Sequence, residues 1–115
     1  MDPIALSASV VPFIVVAARS LGERLWSRDP DVTARGAAGW GRRLARRVRD
    51  GDPWAAEAID DVVADPENEA AHAALRRRLG ETLSSSPELH AEISALIVQA
   101  QASAPTTFSS FERPT

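Results

Sequence analysis

The sequence predicts an all-α fold, a compact bundle of about five helices, on three observations. Five of its eight prolines directly follow a residue that caps helices. Alanine is abundant while valine, isoleucine and threonine thin out beyond residue 16, and no stretch alternates apolar and polar residues as a strand does. At 115 residues the chain is the size of one domain, expected over 1–102, with a flexible Ser/Thr-rich tail at 103–115.

The proline pairs set the helix starts: Asp2-Pro3, Asp29-Pro30, Asp52-Pro53, Asp65-Pro66 and Ser86-Pro87. An aspartate or serine oxygen accepts from the open N–H groups of a first turn, and proline in the next position loses no hydrogen bond there. Helices are therefore expected near 3–27, 30–49, 53–64, 66–84 and 87–102, joined by short turns. Glu67, Glu69 and Glu88 fall where carboxylates favour the positive end of the helix dipole.

The first helix gathers Val10, Val11, Ile14, Ala18, Leu21 and Leu25 on one face, with Ser9, Pro12, Ser20 and Glu23 opposite. That pattern fits the central helix of a bundle, with Pro12 and the carbonyl it frees near Ala8 turned to water. Its uncharged run, Pro3 to Ala18, is 16 residues, short of the roughly 20 that span a bilayer. Contact with a membrane surface through residues 4–18 is the competing reading, and a cleaved signal is opposed by Asp2 where a basic start belongs.

On the second helix Thr33, Ala37, Trp40, Leu44 and Val48 form the apolar stripe, with Arg35, Arg42, Arg46 and Arg49 opposite. Gly36, Gly39 and Gly41 surround Trp40; they either break this helix or let a neighbour approach closely. The third helix turns Ala55, Ala58, Ile59, Val62 and Val63 inward, Glu57, Asp60 and Asp61 outward, and Trp54 to the edge. The fourth buries Ala71, Leu75, Leu79 and Leu83, with Arg77 outward one i,i+4 step from Glu81. The fifth buries Leu89, Ile93, Leu96, Ile97 and Ala100. Trp26, Trp40 and Trp54 recur every 14 residues and read as core or groove lining.

Composition narrows the chemistry. With no cysteine there is no disulfide scaffold, thiolate metal site or cysteine nucleophile, and with no lysine no Schiff base or phosphate-loop lysine. His72 and His90 flank apolar stripes without an i,i+4 ligand partner and read as packing residues, not as metal ligands or bases. Ser84-Ser85-Ser86 has no nucleophile-elbow context, and no glycine-rich phosphate cradle is present. The expectation is a chain without catalytic residues, metal, cofactor or small-molecule substrate.

Charge is segregated. Residues 1–49 hold nine arginines and four acids, residues 50–115 four arginines and twelve acids, for the net −3. Eight of the acids lie between Asp50 and Glu69, directly after the run Arg42-Arg43-Leu44-Ala45-Arg46-Arg47-Val48-Arg49. These are the solvated outer faces of consecutive helices, or a basic face on one molecule meeting an acidic face on another. Nucleic-acid binding through the arginines is the further alternative, opposed by the acidic helix beside them and by the lack of a groove-reading motif. The functional expectation is a cytoplasmic protein–protein interaction domain, an adaptor or self-assembling unit. Its contact residues are Arg35, Arg42, Arg46 and Arg49, the acids Glu57, Asp60 and Asp61, and Phe108 and Phe111 in the tail.

The text Asp2-Pro3-Ile4, Gly41-Arg42-Arg43-Leu44-Ala45-Arg46-Arg47, Asp65-Pro66-Glu67-Asn68 and Ser86-Pro87-Glu88-Leu89 resembles small all-helical actinobacterial modules. Some of those look like the effector-associated, death-domain-like adaptor domains of bacterial defence and signalling systems. Over residues 2–102 the resemblance implies contacts between helical domains that bring an effector to a sensor, without catalysis in this chain.

Overall fold

The computed structural model describes residues 2–26 and 36–103, which form five α-helices and one 3-10 turn, with no strand among the described residues. The helices are α1 (Pro3–Leu21), α2 (Gly36–Gly51), α3 (Pro53–Ala64), α4 (Glu69–Ser85) and α5 (Pro87–Ser103), and the 3-10 turn is Gly22–Trp26. The all-α expectation holds.

Three proline pairs start helices as expected. Asp2 accepts from the Ala5 N–H at 2.8 Å, Asp52 from the Trp54 N–H at 3.0 Å and the Ser86 hydroxyl from the Leu89 N–H at 3.3 Å. Asp65-Pro66 departs from the expectation, because Asp65 ends α3 and does not begin α4. Its N–H donates to the Asp61 carbonyl at 3.2 Å, and Pro66 and Glu67 form a turn. Asn68 is the better cap: its side-chain oxygen accepts from both Ala70 and Ala71, at 2.9 and 3.3 Å. His72 fastens the turn by donating from Nε2 to the Pro66 carbonyl at 2.6 Å. Asp29-Pro30 and the expected start of the second helix lie outside the described residues.

The first helix is shorter than the expected 3–27. α1 closes where Gly22 takes φ 55°, a conformation that costs glycine little, with its N–H on the Ala18 carbonyl. The chain then winds on as the 3-10 turn, which carries Leu25 into the core and Trp26 to its margin. Pro12 sits within α1 on the exposed side, as does Ala8.

α1 touches every other described element and supplies the largest share of the core, from Leu6 through Leu21. Its seam with α2 is unusually close. A Cβ on Gly41 would stand 1.9 Å from the Phe13 carbonyl oxygen and 2.9 Å from Ala17 Cβ. Glycine here lets two backbones meet, and α2 runs unbroken past it, burying Leu44, Ala45 and Val48. Ile59 of α3, Leu75 and Leu79 of α4 and Ile93 of α5 complete the core, each fully buried.

A polar knot joins α3 to α4. Asp52, with a side chain 12% exposed, receives the Thr82 hydroxyl at 2.5 Å and Arg78 Nη2 at 3.0 Å while capping α3. Burial pushes the Asp52 carboxyl up, but the Thr82 hydroxyl, the Trp54 N–H and Arg78 outweigh it and hold it below the usual carboxylate value. The expected Arg77–Glu81 pair gives way to its neighbour, because Arg78 lies between Asp52 and Glu81, 3.7 Å from the latter, and Arg77 faces outward.

Candidate interaction surface

The surface is organised around Trp26. Because the 3-10 turn doubles back beneath α2 and α3, its indole reaches both helices. Trp26 Nε1 donates to Asp60 on α3 at 2.7 Å, and the Arg49 guanidinium of α2 lies over the ring, 4.8 Å from its centroid. Beside this contact opens a cleft of about 550 Å³ lined by Trp26, Arg46, Arg49, Asp50, Pro53 and Ala56. Its lining combines one indole, two guanidinium groups and the carboxylate of Asp50.

On α3 the residues Pro53, Ala56 and Asp60 face this side, since successive residues turn by about 100°. Trp54, Glu57 and Asp61 share the next sector and form an exposed ridge. Trp54 is 68% exposed, which corrects its expected role as core or groove lining: it lies about 100° off the Ala55-Ile59-Val62 stripe. Trp26 and Trp40 do pack against the core as partly buried rings.

The expected contact residues separate into distinct roles. Arg46 and Arg49 come together at the cleft, and Glu57 and Asp61 together on the ridge. Asp60 does not join the ridge, because the Trp26 indole holds it on the cleft side. Arg42 is half-buried and donates from Nε to the Leu25 carbonyl at 3.4 Å, tying the 3-10 turn to α2, which corrects its expected place on an open basic face. Arg35, Phe108 and Phe111 lie outside the described residues.

Other α2 arginines are also engaged internally. Arg43 lies over Trp40 at 4.9 Å from the ring centroid, and Arg47 pairs with Glu92 of α5. The hydrogen bond from Arg47 lowers the Glu92 carboxyl, and the same bond raises the Arg47 guanidinium. Sequence reasoning missed Trp26 as the hub, for which the signal was Gly22, a turn former between an apolar helix and an aromatic residue.

A second groove, about 840 Å³, lies between the start of α1 and α4, lined among others by Ile4, Ala8, Arg76, Arg77 and Gly80. Ile4 is 77% exposed at its edge. Pro3–Trp26 is long and apolar enough to cross a membrane, with an 18-residue window of mean hydropathy 1.9, of which 56% is buried inside the structure. Among the described residues no three His, Asp or Glu side chains converge as metal ligands would. Comparison with protein-family profiles, curated proteins and solved structures returns no match to this chain.

Proposed function

We propose that this chain is a non-enzymatic helical interaction domain that acts by contact, as an adaptor or a self-assembling unit, through the surface shared by α2 and α3. The observation that carries the reading is the juxtaposition on neighbouring helices of a cleft lined by Trp26, Arg46 and Arg49 and an exposed Trp54-Glu57-Asp61 ridge. Exposed tryptophan beside arginine is the composition of energetic anchors in protein interfaces. A protein partner is favoured over nucleic acid because Arg42 and Arg47 are engaged with the Leu25 carbonyl and Glu92, and Asp50 stands in the same opening as Arg46 and Arg49, leaving no continuous basic stripe among the described residues. The resemblance of residues 2–102 to effector-associated adaptor modules agrees with this job and extends it to bacterial signalling or defence in the cytoplasm.

Size-exclusion chromatography with light scattering at low and high salt tests the reading. A mass above the monomer's 12.3 kDa at low salt that falls toward it at high salt supports charge-driven self-assembly. A monomer at both salt concentrations overturns it.

A further inference from the structure

We infer that the occupant of the α2–α3 cleft is the α3 ridge of a second copy of this chain, with the two α3 helices parallel about a two-fold axis. This rests on the interaction-domain reading above and gives it a partner.

Charge complementarity is the first support. Arg46 and Arg49 stand in the cleft with a single acid, Asp50, at the same opening. The ridge offers Glu57 and Asp61 with no base between them, and neither acid nor Arg46 enters an ion pair among the described residues. Asp60, beside the cleft, is occupied by the Trp26 indole at 2.7 Å. The cleft therefore presents cationic groups outward, and the ridge presents carboxylates of matching number. Arginine forks donate paired hydrogen bonds to carboxylates, and a guanidinium lying on an indole keeps its edge N–H groups available for that purpose.

Placement on the helix is the second support. Cleft wall and ridge are adjacent sectors of the same helix, about 100° apart. A two-fold axis parallel to α3, facing the line between the sectors, sets each ridge over the other molecule's cleft. Both contacts form at once, and the assembly closes at two copies. Trp54, at the N-terminal end of the ridge and 68% exposed, gains an apolar partner in that arrangement. A helix of 12 residues spans about 18 Å, so the interface is small and its strength depends on the charges and on this indole. The α1–α4 groove has Arg76 and Arg77 but no second sector on its own helices that would answer it in the same way.

Charge exchange tests the proposal. Light scattering and sedimentation at low salt compare the intact chain with Arg46→Glu, Glu57→Arg, the combined R46E/E57R and Trp54→Ala, with circular dichroism recording the fold of each. The intact chain is expected to dimerise, at twice 12.3 kDa. Each single reversal weakens the dimer about tenfold, and the combination restores it to within about threefold. Trp54→Ala, which removes an exposed side chain, loses the dimer and keeps the helical spectrum. A dimer indifferent to both reversals overturns this interface and leaves self-assembly standing. Mass that keeps growing with concentration overturns the two-fold closure alone. A monomer at every concentration overturns both the inference and the self-assembling reading beneath it.

Discussion

Helix α2 spends its charge inside the molecule, whereas α3 turns most of its charge outward. Of the α2 arginines, Arg42 holds the Leu25 carbonyl, Arg43 and Arg49 lie over indoles, and Arg47 pairs with Glu92. Of the three acids on the body of α3, Asp60 alone is held among the described residues, by Trp26. The difference follows from side-chain reach and from position. Arginine is long enough to fold back over a neighbouring ring or carbonyl, and α2 lies between α1, α3 and α5, so partners surround it. The acids of α3 are short and stand on a helix whose far side is open. A charge count alone therefore overstates the basic face and understates the acidic one.

Changes on the buried side of α2 should have the largest effects. Gly41→Ala places a methyl 1.9 Å from the Phe13 carbonyl oxygen, which neither backbone can avoid without moving apart. A loss of about 3 kcal/mol or more is expected by urea denaturation, at the upper end of overpacking costs. Retained stability would mean that α2 does not lie directly on α1.

Next in size is the polar knot at the root of α3. Asp52→Ala removes a helix cap and the acceptor for Thr82 and Arg78 together, at an expected cost of about 2 kcal/mol. The pH dependence carries the same signature. Because the folded Asp52 carboxyl lies below its unfolded value, its contribution is complete above the unfolded pKa and is lost as pH falls through the folded one. Stability of the intact chain should thus fall on acidification below about pH 4, and more steeply than that of Asp52→Asn. Equal slopes would remove Asp52 from the account of acid sensitivity.

Smaller effects separate the two helices directly. Arg49→Ala forfeits the stacking on Trp26 and should cost about 0.5–1 kcal/mol in thermal or chemical denaturation. Glu57→Ala and Asp61→Ala, on the outward side of α3, should leave the melting temperature unchanged within error. A destabilised Glu57→Ala would show that α3 spends its charge internally as α2 does.

Much of the fold was legible because capping and periodicity act locally. Asp2, Asp52 and Ser86 cap as their proline neighbours indicate, and the stripes of α3 and α5 bury Ala55, Ile59, Val62, Leu89, Ile93, Ile97 and Ala100, with Ala58, Val63 and Leu96 partly buried beside them. Asp65 was misread because two adjacent candidates, Asp65 and Asn68, compete for one helix start. The choice depends on which backbone groups α3 has already used. The end of α1 escaped for a similar reason: the apolar wheel continues through Leu25, and only the positive φ of Gly22 tightens the chain into a 3-10 turn.

The surface was legible by face but not by partner. Arg42 and Arg46 occupy neighbouring positions on one helical wheel, yet one meets the Leu25 carbonyl and the other lines the cleft. That distinction depends on where the 3-10 turn comes to rest, which helix periodicity alone does not specify. The angle of Trp54 places it at an edge; its 68% exposure depends on no described helix packing over it.

The three indoles allow a direct test of the claim that the α2–α3 surface is the site of contact. In a ¹H–¹⁵N correlation spectrum followed from dilute to concentrated protein at low salt, the Nε1–H signals of Trp54, on the ridge, and Trp26, in the cleft, should shift together. The signal of Trp40, packed on the core and covered by Arg43, should stay in place. Added salt should return the two moving signals to their dilute positions. If the Trp54 and Trp26 signals do not move over that range, this surface is not where the molecule makes its contacts.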